Sequence, residues 1–239
     1  ATLSTLLEQH ARTTEKLPAL PGAGEQGLDW KTFRIRVVQL AASLRLQTSI
    51  AGETSSSNQI GVLVNQASAA TLAALLATWE NGQTCVLLDG AQPLLRLIHL
   101  LASSDLEILL CSQTDWSLAQ TLVASIARAR TAQGRGDIRV ITIEAAMDAV
   151  LPLAVQAPDS PVAASVYALI CYKADHPDTN GDPQALLLSH QFLLESLAGE
   201  GEGFAGSSSL PLFLPGVAVK LLRALARPLH KVTESQLPS

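Results

Sequence analysis

Aromatic side chains are scarce in this 239-residue chain, at 4 % of its residues. That scarcity excludes a core built on stacked rings and leaves Ala, Leu, Val and Ile to fill the interior. Charge is also sparse, at 15 %, while hydrophobic residues reach 48 %. An intrinsically disordered chain needs the opposite balance, so a packed core is expected. Basic residues are not in excess: the net charge is −5. The nearest approach to a cationic cluster is Arg128, Arg130 and Arg135, with no aromatics interleaved, which reads as a solvated helix end. Nucleic-acid binding, which calls for a basic patch or stripe, is excluded as a function. The three cysteines, Cys85, Cys111 and Cys171, are odd in number and far apart, with no C-x-x-C pair. This excludes a disulfide framework or a zinc site and leaves buried free thiols in a reducing cytosol. No apolar run approaches the ~18 residues of a membrane span, and no signal peptide is present, so a cytoplasmic protein is expected. The first residue is Ala1 rather than Met, which suggests a piece of a longer chain.

What is present is periodicity. Leu3, Leu6, Leu7 and His10 have helical spacing, and a Pro/Gly-rich stretch, Leu17–Gly27, follows. Asp29 can cap a helix from Trp30 to Leu46 with the stripe Phe33, Val37, Leu40, Ala41 and Leu44. Thr48–Asn58 is a Ser-rich loop. Strands are then expected at Gln59–Val64, Thr84–Leu88, Leu106–Cys111 and Ile138–Ile143. Helices are expected between them at Ala67–Glu80, Pro93–Ser103 and Asp115–Thr131, with Asn81-Gly82 ending the first. Alternation of this kind within about 90 residues predicts an α/β fold with a largely parallel sheet. The strands are nearly continuous apolar runs, so helices should cover both sheet faces.

Past a Pro/Ala-rich connector, Val150–Pro161, the pattern changes. A strand, Ser165–Tyr172, runs into a polar loop, Lys173–Pro183. A second strand, Gln184–Leu188, follows, and Ser189 caps a helix, His190–Leu197. Gly199–Ser209 is rich in Gly and Ser, Leu210–Leu214 reads as a strand, Val217–Leu225 as a helix and Pro228–Ser239 as a polar tail. Three units result: a helix and linker over 1–27, an α/β unit over 28–198, and a linker, a partial element and a tail over 199–239. A strand–loop–strand can hold a phosphate when its loop is rich in Gly, Ser and Thr, because backbone N–H groups then converge on the phosphate oxygens.

Several stretches carry a family resemblance. Leu28–Phe33 with Ala41–Arg45 resembles an "LTYxEL…xLAxxLR" helix, and Gln59–Val64 a "VGI" strand. Leu75–Gly82 with Val86–Asp89 resembles "AxLxxGxxxVPLDP", and Pro93–Leu101 resembles "PxxRLxxxLxDS". The loop resembles "YTSGTTGxPKGVxxSH": Tyr172 stands at the Tyr, Thr179, Asn180, Gly181, Asp182 and Pro183 at "TTGxP", and Leu187–His190 at the end. In order and spacing, residues 28–195 resemble the adenylate-forming (AMP-binding) enzymes, above all the adenylation domains of nonribosomal peptide synthetases. The resemblance implies the fold of an adenylation N-terminal subdomain, ATP and magnesium as cofactors, and acyl-adenylate formation from a carboxylic or amino acid.

The loop departs from that pattern where the chemistry resides. Gln184 replaces the Lys, Ala185 replaces the following Gly, and a longer polar stretch, Lys173–Asp178, replaces "TSG". One Gly of three remains, which closes off an open anion cradle. Asp175, Asp178 and Asp182 add negative charge that Lys173 and His176 only partly offset. Two like charges at about 4 Å cost about 4 kcal/mol at an effective dielectric near 20. A degenerate phosphate loop of Tyr172, Thr179, Asn180, Gly181, Pro183, Gln184 and Ala185 is therefore expected to bind no ATP or magnesium. The family's later motifs, including its ribose-binding "YxTGD" and its C-terminal Lys, do not occur before Ser239. These features predict a catalytically inactive pseudo-adenylation module, a scaffold beside condensation, carrier or modifying domains in a peptide or mixed peptide–polyketide synthase. The alternative is the N-terminal piece of an active adenylating enzyme.

Other candidates weigh less. His190 is expected to be a helix-start residue making local hydrogen bonds rather than a ligand contact, and Lys173 a solvated loop charge. Asp175, His176 and Asp178 lack the fixed geometry of a metal site. Ser189-His190 lacks the G-x-S-x-G turn of a nucleophile. Gly199–Gly206 follows a helix rather than a strand, unlike a dinucleotide loop.

Overall fold

The computed structural model describes residues 30–50, 58–149, 167–172 and 185–199. Six strands form one sheet in the order β4-β3-β1-β2-β5-β6. They are β1 (Gln59–Val64), β2 (Thr84–Asp89), β3 (Ile108–Cys111), β4 (Arg139–Thr142), β5 (Tyr167–Tyr172) and β6 (Ala185–Ser189). The first five run parallel, and β6 returns antiparallel to β5. The helices are α1 (Trp30–Ile50), α2 (Ala69–Glu80), α3 (Leu94–Ser103), α4 (Trp116–Ala132), α5 (Ile143–Asp148) and α6 (His190–Gly199). The α/β class and the largely parallel sheet are as the sequence pattern implied. Among the described residues no helix is long and apolar enough to cross a membrane.

Side-chain alternation splits the strands between two cores. Ile60, Val62 and Val64 of β1, Cys85 and Leu87 of β2, and Ile108 and Leu110 of β3 face one side. There they meet Phe33, Val37, Leu40 and Leu44 of α1, Leu72 and Leu75 of α2, and Ile143 of α5. Leu63, Val86, Leu88, Leu109 and Cys111 face the other side, against Leu97 and Leu101 of α3 and Leu122 and Ile126 of α4. Gly61 faces this second side, and a Cβ there would fall 2.8 Å from a Leu106 methyl. Period-2 burial on both faces is what a parallel sheet between two helix layers requires.

Element ends differ from expectation where side chains satisfy the backbone. α1 runs past Leu46 because Thr48 Oγ1 donates back to the carbonyls of Leu44 and Arg45. α2 starts at Ala69, set by a capping box between Ser68 and Thr71. Gly82, with φ of 69°, takes the left-handed turn that ends α2, and Gly134, with φ of 70°, follows α4. The strand expected at Ile138–Ile143 stops at Thr142; Ile143 begins α5, a helix the sequence pattern did not announce. The expected helix Thr2–Thr13, the strand Leu210–Leu214 and the helix Val217–Leu225 lie outside the described residues.

One expectation is overturned. Arg130 is not on a solvated helix end but 2 % exposed. Its guanidinium donates to the carbonyls of Gly136 at 2.9 Å, Ser104 at 3.1 Å and Leu106 at 2.7 Å. Arg135 adds donation to Ala102 and Ser104 and an ion pair with Asp105. The ends of α3 and α4 leave carbonyls that helix bonding cannot satisfy, and a planar cation with five donors meets them. Arg128 alone of the three is exposed.

All three thiols are free and buried, as expected. Burial pushes Cys85 well above the ordinary thiol range and holds Cys111 and Cys171 at about 12. A thiol pKa raised by burial leaves almost no thiolate near neutrality. Alkylation by iodoacetamide, followed by mass spectrometry, is therefore expected to spare all three in the folded chain and to reach all three in denaturant. Replacing Arg130 by Ala removes the side-chain donor of the buried Leu106 carbonyl, while Ser104 keeps Arg135 and the exposed Gly136 can turn to water. With a buried unmet group costing about 1–3 kcal/mol, a loss of about 2 kcal/mol is expected in denaturant unfolding.

Candidate functional site

The loop singled out from the sequence leaves the sheet at a defined place. β5 sits beside β2 with Cys85 opposite Leu169 and Val86 opposite Ile170. Two long-range bonds fix it there: Trp79 Nε1 donates to the Ala168 carbonyl at 2.7 Å, and Thr84 Oγ1 to the Tyr167 carbonyl at 2.8 Å. β6 then pairs with β5 so that Tyr172 stands opposite Ala185. These two residues form the mouth of the connection over 173–184, at the carboxyl ends of the parallel strands. Open α/β sheets bind ligands at that edge.

Two described residues, Tyr172 and Ala185, stand at the mouth. Burial, with Cys171 as a second cause, raises the Tyr172 phenol above its ordinary range, so it remains neutral. Ala185 is exposed and carries only a methyl group where the resembled loop has glycine. Asp89, at the end of the neighbouring β2, receives the Ala91 amide at 3.1 Å on one carboxylate oxygen. Thr179, Asn180, Gly181, Pro183 and Gln184 lie outside the described residues, as do Lys173, Asp175, His176, Asp178 and Asp182.

His190 does not join the mouth. β6 carries the chain back across the sheet, so His190 lies about 17 Å away, at about 3.4 Å per residue. Ser189 Oγ accepts from the Phe192 amide at 3.1 Å and caps α6, as expected. The local hydrogen bonds expected of His190 are absent: neither ring nitrogen has a partner among the described residues. Its ring instead meets Trp79 edge-on, with centroids 5.8 Å apart. Burial lowers its pKa below the ordinary imidazole value.

A second polar group went unnoticed in the sequence. β1 sends its connection through α2 on one face and β3 through α4 on the other, so the carboxyl ends of these neighbouring strands form a topological switch point. There the Asn65 amide donates to the Asp115 carboxylate, and Ser112 Oγ donates to its other oxygen at 2.7 Å. The Gln113 amide donates to Glu144 at 3.0 Å. A Cβ on Gly90 would fall 2.3 Å from Asn65 Oδ1, so Gly90 is where Asn65 fits. The crevice is filled by its own side chains, and both oxygens of the buried Asp115 are engaged. Asp115 was expected to start a helix. It precedes α4, but its carboxylate serves Asn65 and Ser112 instead of capping. Among the described residues no group of three His, Cys, Asp or Glu could hold a metal ion.

Comparison with known proteins agrees with the fold. No family model matches the chain, and no curated protein sequence matches it significantly. Solved structures do. The chain is similar to a luciferase-like enzyme from the mealworm Zophobas morio, with a TM-score of 0.66 and 16 % identity, over 94 % of this chain and 51 % of that one. It is similar to the nonribosomal peptide synthetase FmoA3 in its AMPPNP-bound form, with a TM-score of 0.62 and 18 % identity, over 94 % of this chain and 22 % of that one. It is also similar to the N-terminal subdomain of Klebsiella oxytoca NpsA, with a TM-score of 0.58 and 14 % identity, over 82 % of this chain and 44 % of that one. The chain thus spans about half the length of the luciferase-like enzyme and a smaller share of the other two. Sheet order, buried parallel strands and these likenesses together give the chain the fold of the N-terminal subdomain of adenylate-forming enzymes.

Proposed function

We propose that this chain is a pseudo-adenylation module: it keeps the fold of an adenylation subdomain and performs no adenylation itself. The observation that carries the reading is the loop mouth, where Ala185 stands opposite Tyr172 in place of glycine. Phosphate recognition needs converging N–H groups and cations, and the sequence over 173–184 offers one Gly, three Asp and Gln184 in place of Lys. The two cores, in contrast, are filled with aliphatic side chains at matching periods, so the sequence still specifies the fold. Its role is a scaffold in the cytoplasm, between condensation, carrier or modifying domains of a peptide or mixed peptide–polyketide synthase. The likeness to synthetase structures supports that setting.

A second reading is favoured by one observation, the partial coverage of every comparison structure described above. In that reading the chain is the N-terminal piece of an active adenylating enzyme that takes ATP and a carboxylic or amino acid, and the remaining segments supply the missing contacts. Calorimetric titration of the chain, folded by circular dichroism, with ATP and magnesium and then with AMP separates the two. The pseudo-module is expected to give no heat up to millimolar nucleotide. Saturable binding at micromolar concentration would overturn it in favour of the second reading.

A further inference from the structure

His190, at the His of the resembled motif, is a polar residue with which to start a packed helix. Its ring meets the Trp79 ring of α2 edge-on, and the Trp79 N–H is committed to the Ala168 carbonyl of β5. Both imidazole nitrogens are shielded from solvent, and neither has a hydrogen-bond partner among the described residues. A phenylalanine would fill such a place at lower desolvation cost. An imidazole there is tolerated only while it is neutral, because protonation would bury two N–H donors and a charge with nothing to receive them.

Among the described residues, the elements around it offer no counter-charge. α2 carries one titratable residue, Glu80, and that carboxylate is engaged by Arg34 of α1. α6 carries Glu195, which is exposed and receives the Gln191 amide. β5 offers Tyr167, Cys171 and Tyr172, none of them a carboxylate or a cation, and β6 carries no titratable side chain. The lowered pKa of His190 has burial as its cause.

We propose that His190 is a pH-sensitive latch: neutral, it holds α6 against Trp79, and protonated, it releases α6 and loosens β6. Release would reach the mouth of the 173–184 connection through β6, whose first residue is Ala185. The direction follows from linkage. The folded state binds the imidazole proton less readily than the unfolded state does. The latch is therefore complete above the ordinary imidazole value of 6.5 and is lost as pH falls below it towards the depressed folded value.

The test is native-state hydrogen exchange on the full chain at about pH 7.5 and about pH 5, corrected for intrinsic exchange rates. Protection of the α6 and β6 amides is expected to fall by roughly three- to tenfold at the lower pH, while α4 amides hold their protection. His190→Phe is expected to erase that difference. Equal protection of α6 at both pH values, or an equal loss in α4, would overturn the latch. If His190→Phe does not fold, the α6-to-α4 comparison in the unaltered chain decides the matter. An NMR titration placing the His190 ring at or above 6.5 would also contradict it.

Discussion

The indole of Trp79 joins the late part of this chain to the early part. β5 enters the sheet beside β2 after a long connection from α5, and its position depends on two donors from outside the strand ladder. Trp79 and Thr84 supply them to consecutive carbonyls, those of Ala168 and Tyr167. Both donors belong to the α2–β2 unit, which the aliphatic core already holds rigid. Once β5 is placed, β6 and α6 follow by antiparallel pairing, and Tyr172 and Ala185 are brought face to face. The same indole then presents its ring to His190. One side chain therefore sets the strand, the loop mouth and the helix packing behind it.

The sheet is closed on both faces by helices, and the Arg130 guanidinium ties the ends of α3 and α4 to the start of β3. The switch point between β1 and β3, where an open sheet usually leaves a crevice, is occupied by Asn65, Ser112 and Asp115 bonded to each other. The described ends of the β5–β6 connection carry a phenol at Tyr172 and a methyl group at Ala185. The proposal of a scaffold rests on these two residues together with the sequence over 173–184.

Much of the fold was legible because each core position obeys one period. The stripe from Phe33 to Leu44 and the runs at Gln59–Val64 and Thr84–Leu88 were read correctly, since aliphatic residues there serve packing alone. Reading failed where a polar residue bonds at long range. Arg130 looks like a helix-end charge in sequence, and only the convergence of three carbonyls from separate segments explains its burial. Asp115 reads in sequence only as the start of a helix, yet its partner Asn65 lies 50 residues earlier. His190 was legible as the start of a helix but not as the neighbour of Trp79, because that contact depends on α6 folding back over the sheet. The helix α5 escaped notice because Ile143 continues the apolar run of β4 without punctuation. The strand ends flanking the loop were placed within two residues, which suffices to define the mouth.

The central claim is that the β5–β6 mouth keeps its geometry without the means to hold a nucleotide. Amide-resolved NMR of the chain during titration with ATP and magnesium tests it at the residues concerned. The account predicts that the Tyr172 and Ala185 amide resonances stay in place through millimolar nucleotide while the sheet resonances remain those of a folded protein. Saturable shifts centred on Tyr172, Ala185 and the neighbouring end of β2 would contradict it and restore the mouth as a working phosphate site.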